Sequence, residues 1–175
     1  VLTIEEADIA VFLTCCVREK AQERLMGQVA SIKNVPSAHD AKRIIAVGGC
    51  IGQLEGTTLR DELSHVDVVF GTHNLGHLVD LLARRIVTGD PQVETLEVND
   101  GFSSDLPVRR EKAWHAWIPI MTGCDNFCSY CIVPYVRGRE MSRPIDDIAS
   151  ELATLADEGI REITLLGQNV NSYGR

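Results

Sequence analysis

The pattern of hydrophobic and polar positions divides the chain into two stretches in which buried strands alternate with amphipathic helices. In the first stretch, short apolar runs predict strands, and apolar residues at helical spacing predict helices between them. The predicted strands cover residues 9–14, 43–48 and 67–70, and the predicted helices cover about 17–33, 57–63 and 74–87. Strands that alternate with helices in this way are typical of a parallel α/β sheet.

The pattern changes between Thr88 and His115, where turn residues replace the periodic apolar positions. Gly89-Asp90-Pro91 and Asn99-Asp100-Gly101 are both turn signals. We therefore interpret residues 89–115 as a linker. It would join an N-terminal domain to the start of a second domain, with boundaries at 1–88 and 116–175.

The second stretch begins with a predicted strand over residues 117–121. Pro144 suits the first turn of a helix, Gly159 ends that helix, and residues 161–166 form the next predicted strand. This order of strand, loop, helix and strand indicates a βαβ unit. Because ligand sites of parallel α/β folds lie at the carboxyl ends of the strands, the loops after both strands are candidates for a functional site.

Three cysteines, Cys124, Cys128 and Cys131, follow the first of these strands in a C-x3-C-x2-C run. Thiolates this close in sequence can converge on one metal centre. A structural zinc site needs four ligands, commonly in two C-x2-C pairs, whereas three cysteines on a 4Fe–4S cluster leave one iron open. The spacing favours the iron–sulfur cluster, and a zinc loop with a distant fourth ligand is the alternative.

Two longer motifs surround and follow the cysteines. Residues 123–144 read GCDNFCSYCIVPYVRGREMSRP, and residues 165–174 read LLGQNVNSYG. Both resemble the methylthiotransferases, a family of radical SAM enzymes, and the GQNVN form resembles the tRNA-adenosine branch most closely. The resemblance implies an α/β fold in which an N-terminal parallel-sheet methylthiotransferase domain precedes the first strands of a radical SAM (β/α) partial barrel.

The resemblance also implies roles for individual residues. Cys124, Cys128 and Cys131 would be the catalytic ligands of a reducing 4Fe–4S cluster whose open iron binds S-adenosylmethionine. One electron from an external donor would cleave the sulfonium to a 5′-deoxyadenosyl radical. We expect Tyr130 to pack against the adenine, and Gln168 and Asn169 to bond the methionine end of the cofactor.

A second group of cysteines lies in the first stretch. Cys15 follows the first predicted strand and Cys50 follows the second. Since adjacent parallel strands bring their carboxyl ends together, these thiols could meet at one edge of the sheet. The resemblance assigns both to an auxiliary 4Fe–4S cluster, the second in a full-length enzyme, with a third ligand upstream of Val1. Buried cysteines acting as small hydrophobes are the alternative, and the role of Cys16 stays open.

Charge and composition limit the possible classes of function. With a formal net charge of −8, the chain is not built as a general polyanion binder. RNA remains possible because Arg137, Arg139 and Arg143 form a local basic run that could meet phosphate or a cofactor carboxylate, although a solvated loop is the alternative. No apolar run approaches the ~20 residues of a membrane span, so we expect no membrane partner. Clustered cysteines suggest a reducing compartment.

His73 and His77 are four residues apart near the start of a predicted helix, which is a spacing that zinc pairs use. The residues between them do not form the H-E-x-x-H motif. We therefore favour solvated surface histidines.

The function that the resemblance implies is methylthiolation of tRNA by a radical SAM enzyme, which we expect to act in the cytoplasm, with a monomer favoured. The substrate would be an isopentenylated adenosine beside the anticodon, which receives a methylthio group at ring carbon 2. A sister enzyme acting on another modified tRNA adenosine, or on a ribosomal protein aspartate, is the nearest alternative. Because only two barrel strands fall within residues 117–166, we expect the 175-residue chain alone to be inactive on tRNA.

Two alternatives come from other classes of function. One is a non-catalytic metal-binding module, and metal analysis separates it from the enzyme: iron with labile sulfide supports the enzyme, whereas zinc alone supports the module. The other is a thiol redox protein. It is disfavoured because no isolated C-x-x-C pair stands in a thioredoxin-like context.

Overall fold

A computed structural model describes residues 3–16, 19–35, 42–96, 110 and 112–175 of the chain. It divides into two compact units, residues 1–98 and 99–175. Both units are mixed α/β, so the predicted fold class is confirmed. Within the described ranges, no helix combines the length and the apolar character that crossing a bilayer requires.

The first unit is built on a parallel sheet of four strands that are ordered as they occur in the sequence. Its strands are β1 Ile9–Thr14, β2 Ile44–Gly49, β3 Val68–Phe70 and β4 Gln92–Glu94. Its helices are α1 Glu19–Ile32, α2 Cys50–Glu55, α3 Thr57–Glu62 and α4 Leu78–Thr88, with a 3₁₀ turn at Thr72–His77 before α4.

Both faces of this sheet are covered, as expected of parallel strands that read as continuous apolar runs. On one face, Val47 packs with Val29 of α1 and Leu59 of α3, and all three are fully buried. On the other face, Ala46 and Phe70 pack against α4. Phe70 leaves no room for a side chain at Gly48, since a Cβ there would overlap its ring.

The sequence pattern did not predict two elements of this unit. Helix α2 begins at Cys50 directly after β2, and Gly49 makes the change of direction at a φ of 92° without an intervening polar loop. Strand β4 has only three residues and lies in the stretch interpreted as a linker. Most of that stretch, residues 97–109 and 111, lies outside the described part of the chain.

Side-chain hydrogen bonds to Glu94 fix strand β4. Its carboxylate accepts from Asn74 Nδ2 at 2.8 Å and Arg84 Nη2 at 2.9 Å, and it lies 2.6 Å from His77 Nδ1. The hydrogen bonds from His77 and Arg84 lower the pKa of Glu94 to about 2. His77 is a surface histidine with its side chain 45% exposed, as the sequence predicted, and it also bonds to this carboxylate.

The second unit contains the predicted βαβ arrangement. Strand β5, His115–Pro119, pairs in parallel with β8, Glu162–Leu166, and helix α6, Ile145–Asp157, packs on one face of the pair. Ile118 is fully buried against this helix, whereas Trp117 on the opposite face is 62% exposed. The remaining elements are β6 Met121–Thr122, α5 Val133–Arg137, β7 Met141–Ser142 and a 3₁₀ turn at Val170–Ser172.

We predict that Glu94→Ala lowers the free energy of unfolding by about 1–3 kcal/mol, because buried Asn74 loses an acceptor. The Glu94 contribution is present above the ordinary carboxyl pKa of 4.5 and is lost as the pH falls towards about 2. The difference between wild type and variant in urea unfolding should therefore shrink between these pH values. The control is Asp61→Ala, which removes a 77% exposed partner of Arg60 and should cost under about 0.5 kcal/mol. Equal effects of both variants at pH 7 would contradict the prediction.

Candidate metal centre

The cysteine loop is closed at its base by a short antiparallel pairing. Strands β6 and β7 flank the loop, with Met121 opposite Ser142 and Thr122 opposite Met141. Beside this pair, the Arg143 amide donates to the Ile120 carbonyl at 2.8 Å. Residues 123–140 therefore form a closed excursion at the carboxyl end of β5, which is where the sequence predicted a site.

Gly123 determines how the chain enters this loop. Its φ is 74°, a left-handed conformation that residues with a Cβ adopt only at a cost. A Cβ at this position would also collide with the carbonyl oxygen of Arg139. The two limbs of the loop can approach this closely only because residue 123 is glycine.

Asp125 ties the same two limbs together through its carboxylate. Its Oδ1 accepts from the Glu140 amide at 3.0 Å and lies 2.8 Å from Arg139 Nε, and its Oδ2 accepts from Arg139 Nη2 at 3.2 Å. The Glu140 amide, followed by Arg139, lowers the pKa of Asp125. The carboxylate thus acts as an ionised clamp across the base of the cysteine segment.

The three cysteines of the loop are all free thiols, but their surroundings differ. Cys124 is buried, Cys131 is half-buried and Cys128 is exposed. The Cys131 amide donates to the Cys128 carbonyl at 2.9 Å, which folds the second half of the run into a turn. Three free thiols on one closed loop suit an iron–sulfur cluster as a donor set.

The three cysteine side chains of the loop do not form a complete metal site in this structure. Across the described ranges, no group of three or more His, Cys, Asp or Glu side chains could hold a metal ion as placed. Convergence of Cys124, Cys128 and Cys131 on one cluster therefore stays a prediction. Tyr130, expected to pack against adenine, is 89% exposed.

The second motif meets the cysteine loop at its base. Because Leu166 pairs with Pro119 in the parallel register, residues 167–174 leave the sheet at the same edge as the loop. The Tyr173 hydroxyl donates to the Arg143 carbonyl at 2.8 Å, and the Gly174 amide donates to Ser142 Oγ at 2.9 Å. These bonds join two motifs that are about thirty residues apart in sequence.

The two residues expected to bond the methionine end lie within this segment. Gln168 is exposed, and Asn169 is half-buried. The Asn169 carbonyl accepts from the Ser172 amide at 2.9 Å and from its hydroxyl at 2.8 Å, which closes the 3₁₀ turn. The structure therefore fixes the backbone of these residues at the site edge, while their contacts with a cofactor stay a prediction.

The basic run after the cysteines does not act as one patch. Arg143 is buried, forms an ion pair with Glu151 and donates from Nη1 to the Pro119 carbonyl. The prediction that Arg143 is available to RNA phosphate is wrong for this reason. Arg139 forms an ion pair with Asp125, and Arg137 is half-buried. Sequence alone showed three arginines but not which one would be enclosed.

The other cysteine group lies at the carboxyl edge of the first unit's sheet. Thr14 pairs with Gly49, so the residues that follow each strand emerge side by side. Cys50 is buried, Cys15 is exposed, and the half-buried Cys16 packs against the core. Burial raises the pKa of the Cys16 thiol to about 11, and the Cys50 and Cys15 thiols add to the shift. The sequence did not predict that Cys16 lies near Cys50, because residues of an irregular loop follow no periodic pattern.

Two parts of the chain match known families. Residues 1–71 match the family described as uncharacterized protein family UPF0004, and residues 118–175 match the radical SAM superfamily. The resemblance predicted from the motifs is therefore confirmed. The superfamily match supports both expected cofactors, S-adenosylmethionine and a 4Fe–4S cluster.

Individual relatives carry a common name, tRNA-2-methylthio-N(6)-dimethylallyladenosine synthase. The protein from Cutibacterium acnes is 49% identical over 172 residues, which cover 98% of this chain and 35% of the relative. The protein from Streptomyces avermitilis is 48% identical over 169 residues, covering 97% and 33%. The protein from Cupriavidus necator is 46% identical over 170 residues, covering 97% and 38%. The chain spans about a third of the length of these curated relatives.

We predict that Gly123→Ala opens the base of the cysteine loop, because the added Cβ meets the Arg139 carbonyl at a strained φ. Buried Cys124 should then be alkylated by iodoacetamide several-fold faster, while exposed Cys128 should change little. Peptide mass spectrometry measures both rates on the chain itself.

The matched control is Gly159→Ala. Gly159 also has a positive φ, 86°, but no atom lies within 4 Å of its added Cβ. It should therefore lose stability without any change in the alkylation of Cys124. An unchanged Cys124 rate in Gly123→Ala would show that the contact with Arg139 does not hold the loop.

Proposed function

We propose that this chain is part of an enzyme that methylthiolates tRNA at ring carbon 2 of an isopentenylated adenosine beside the anticodon. The observation that carries the proposal is the junction of the two motifs, where Tyr173 and Gly174 bond to the base of the cysteine loop. This junction brings the candidate cluster ligands and the candidate cofactor contacts to one edge of the β5–β8 pair. The name that the relatives share supports the tRNA substrate, since dimethylallyl and isopentenyl describe the same substituent.

The residues of the second unit have separable roles in this proposal. Cys124, Cys128 and Cys131 would hold the 4Fe–4S cluster, which when bound with S-adenosylmethionine supplies one-electron reductive cleavage of the sulfonium. The clamp of Asp125 and the glycine at position 123 keep the two limbs of the loop together. Tyr130, Gln168 and Asn169 would bind and orient the cofactor at the edge where the loop and the second motif meet.

The first unit would contribute the second cluster. Cys15 and Cys50 are its proposed ligands within this chain, and the parallel register places both at one sheet edge. Cys16 would lie beside the cluster because it lies near Cys50.

Other parts of the proposal concern partners and location. We propose an external electron donor, because reductive cleavage of the sulfonium consumes one electron. We propose a location in the cytoplasm, since clustered free cysteines are typical of a reducing compartment, and the expected monomer stays a prediction. A related tRNA adenosine or a ribosomal aspartate would need a different substrate pocket, and the GQNVN segment at residues 167–171 favours the proposed branch.

The 175-residue chain alone should not modify tRNA. Parallel barrels build their sites from the loops of many strands, and the described part of the second unit contains one parallel pair. The net charge of −8 also gives little general attraction for RNA, because such affinity comes from lysine and arginine neutralising phosphates. Tests of activity therefore need a full-length protein that contains this sequence.

Cys128→Ala in the full-length protein should abolish 5′-deoxyadenosine formation, since it removes one of only three proposed ligands. After anaerobic reconstitution, the variant should also contain about four fewer irons per chain, the content of one cluster. Chromatography of the products and iron analysis provide the two measurements. Ser129→Ala, at the exposed neighbouring position, is the control and should retain both. Undiminished 5′-deoxyadenosine from Cys128→Ala would refute the assignment of the catalytic loop.

Cys50→Ala should have a different effect, because it belongs to the other unit. Reductive cleavage of S-adenosylmethionine should continue at close to the wild-type rate, while the methylthio nucleoside disappears from tRNA digests. Mass spectrometry of the nucleosides measures the second quantity. If Cys50→Ala and Cys128→Ala lost 5′-deoxyadenosine formation equally, two independent clusters would be the wrong description, and zinc in place of iron would favour a binding module.

A further inference from the structure

The outer surface of the cysteine loop carries two aromatic rings and an arginine with no assigned role. Phe127 and Tyr135 are 48% and 70% exposed, and the Arg139 side chain is 77% exposed. The two rings meet edge to face with centroids 6.2 Å apart, and the Arg139 guanidinium carbon lies 5.6 Å from the Phe127 centroid. We call Phe127, Tyr135 and Arg139 the aromatic platform.

The arginine of this platform is held in place before any ligand arrives. Its Nε lies 2.8 Å from Asp125 Oδ1, and its Nη2 donates to Oδ2 at 3.2 Å. Asp125 is itself anchored by the Glu140 amide at 3.0 Å. A guanidinium fixed beside an aromatic ring offers a planar surface, and it loses little side-chain entropy when something stacks on it.

Phe127 is also conformationally strained. Its φ is 45°, and among the described residues no other residue besides glycine has a positive φ. Such a conformation is costly for a residue with a Cβ, and it is enriched at ligand-binding and active sites. Here the strained residue is exposed and lies between the cluster ligands Cys124 and Cys128, so core packing does not account for it.

The chemistry of the platform fits a flat aromatic ligand. Exposed aromatic rings and arginine stack unpaired bases in proteins that bind single-stranded nucleic acid, and this stacking needs no excess positive charge. A small cofactor is instead usually enclosed within a concave pocket, whereas these three side chains are open to solvent. The ion pair with Asp125 also makes phosphate a poor partner for Arg139.

We propose that the aromatic platform stacks an unpaired base of the tRNA anticodon loop as the loop approaches the cysteine segment. This inference rests on the proposed function and names the surface that would hold the substrate. Tyr130 is not counted as part of the platform, because its proposed partner is the cofactor adenine. Since stacking is largely insensitive to salt, the contribution of the platform should persist at ionic strengths that weaken contacts to phosphate.

The test compares Phe127→Leu and Tyr135→Leu with wild type in the reconstituted full-length protein. The probe is a fluorescein-labelled anticodon stem–loop RNA that carries isopentenylated adenosine, and fluorescence anisotropy gives its Kd. Loss of one stacked base should weaken binding about 5- to 150-fold, with a similar factor at low and at moderate salt. Formation of 5′-deoxyadenosine without RNA, and iron content, should stay within about twofold of wild type.

The matched control is Trp114→Leu. Trp114 is 47% exposed, and Lys112 Nζ lies 4.8 Å from its ring centroid, so it forms an exposed cation–π pair away from the loop. This variant should bind the RNA as wild type does. A general loss of aromatic surface would instead weaken both kinds of variant.

Two results would overturn the inference while leaving the proposed function intact. In the first, the platform variants bind the RNA with wild-type Kd. In the second, they change the affinity for S-adenosylmethionine and not for RNA, which would assign the surface to the cofactor adenine. Failure of the proposed function would look different, because wild type itself would then not bind the isopentenylated RNA or form the methylthio nucleoside.

Discussion

The pairing of β6 with β7 is the contact on which the candidate site depends. It joins Met121–Thr122 to Met141–Ser142 and so converts the segment between them into a loop with a fixed base. The other contacts that hold this loop are built on the β6–β7 pairing. The Asp125 clamp spans the limbs just above it, and the Tyr173 and Gly174 bonds attach the second motif to its outer strand. Without this pairing, the donors and acceptors of these bonds would not be held at fixed positions relative to one another.

Both units use the same property of parallel sheets to bring distant segments together. In the first unit, the register of β1 with β2 sets Cys15 and Cys50 at one edge, although they are 35 positions apart in sequence. In the second unit, the register of β5 with β8 does the same for the cysteine loop and the segment after Leu166. Parallel strands align their carboxyl ends, so the loops that follow them become neighbours whatever the length of the connecting helix.

The sequence predicted the elements whose signal is local. Apolar runs and helical spacing located β1, α1, α4 and α6, and the cysteine spacing located the loop. It failed where the determinant is a tertiary contact. Strand β4 is held by side chains that reach Glu94 from positions 10 to 20 residues earlier, and three residues give no period to detect. Arg143 looked available because its partner, Glu151, lies eight residues later in helix α6 and outside the motif.

Packing explains some positions of the cysteine loop and leaves others without a cause. Gly123 is required by the Arg139 carbonyl, and Asp125 is required by the two donors that it binds. Neither a close backbone contact nor a hydrogen bond requires phenylalanine at position 127. Its side chain is half-exposed, and its φ of 45° costs stability. The fold gains little from an aromatic ring in that conformation. A contact with a molecule outside this core would account for it, and the neighbouring fixed guanidinium of Arg139 makes a planar base the ligand whose shape and chemistry agree with the surface.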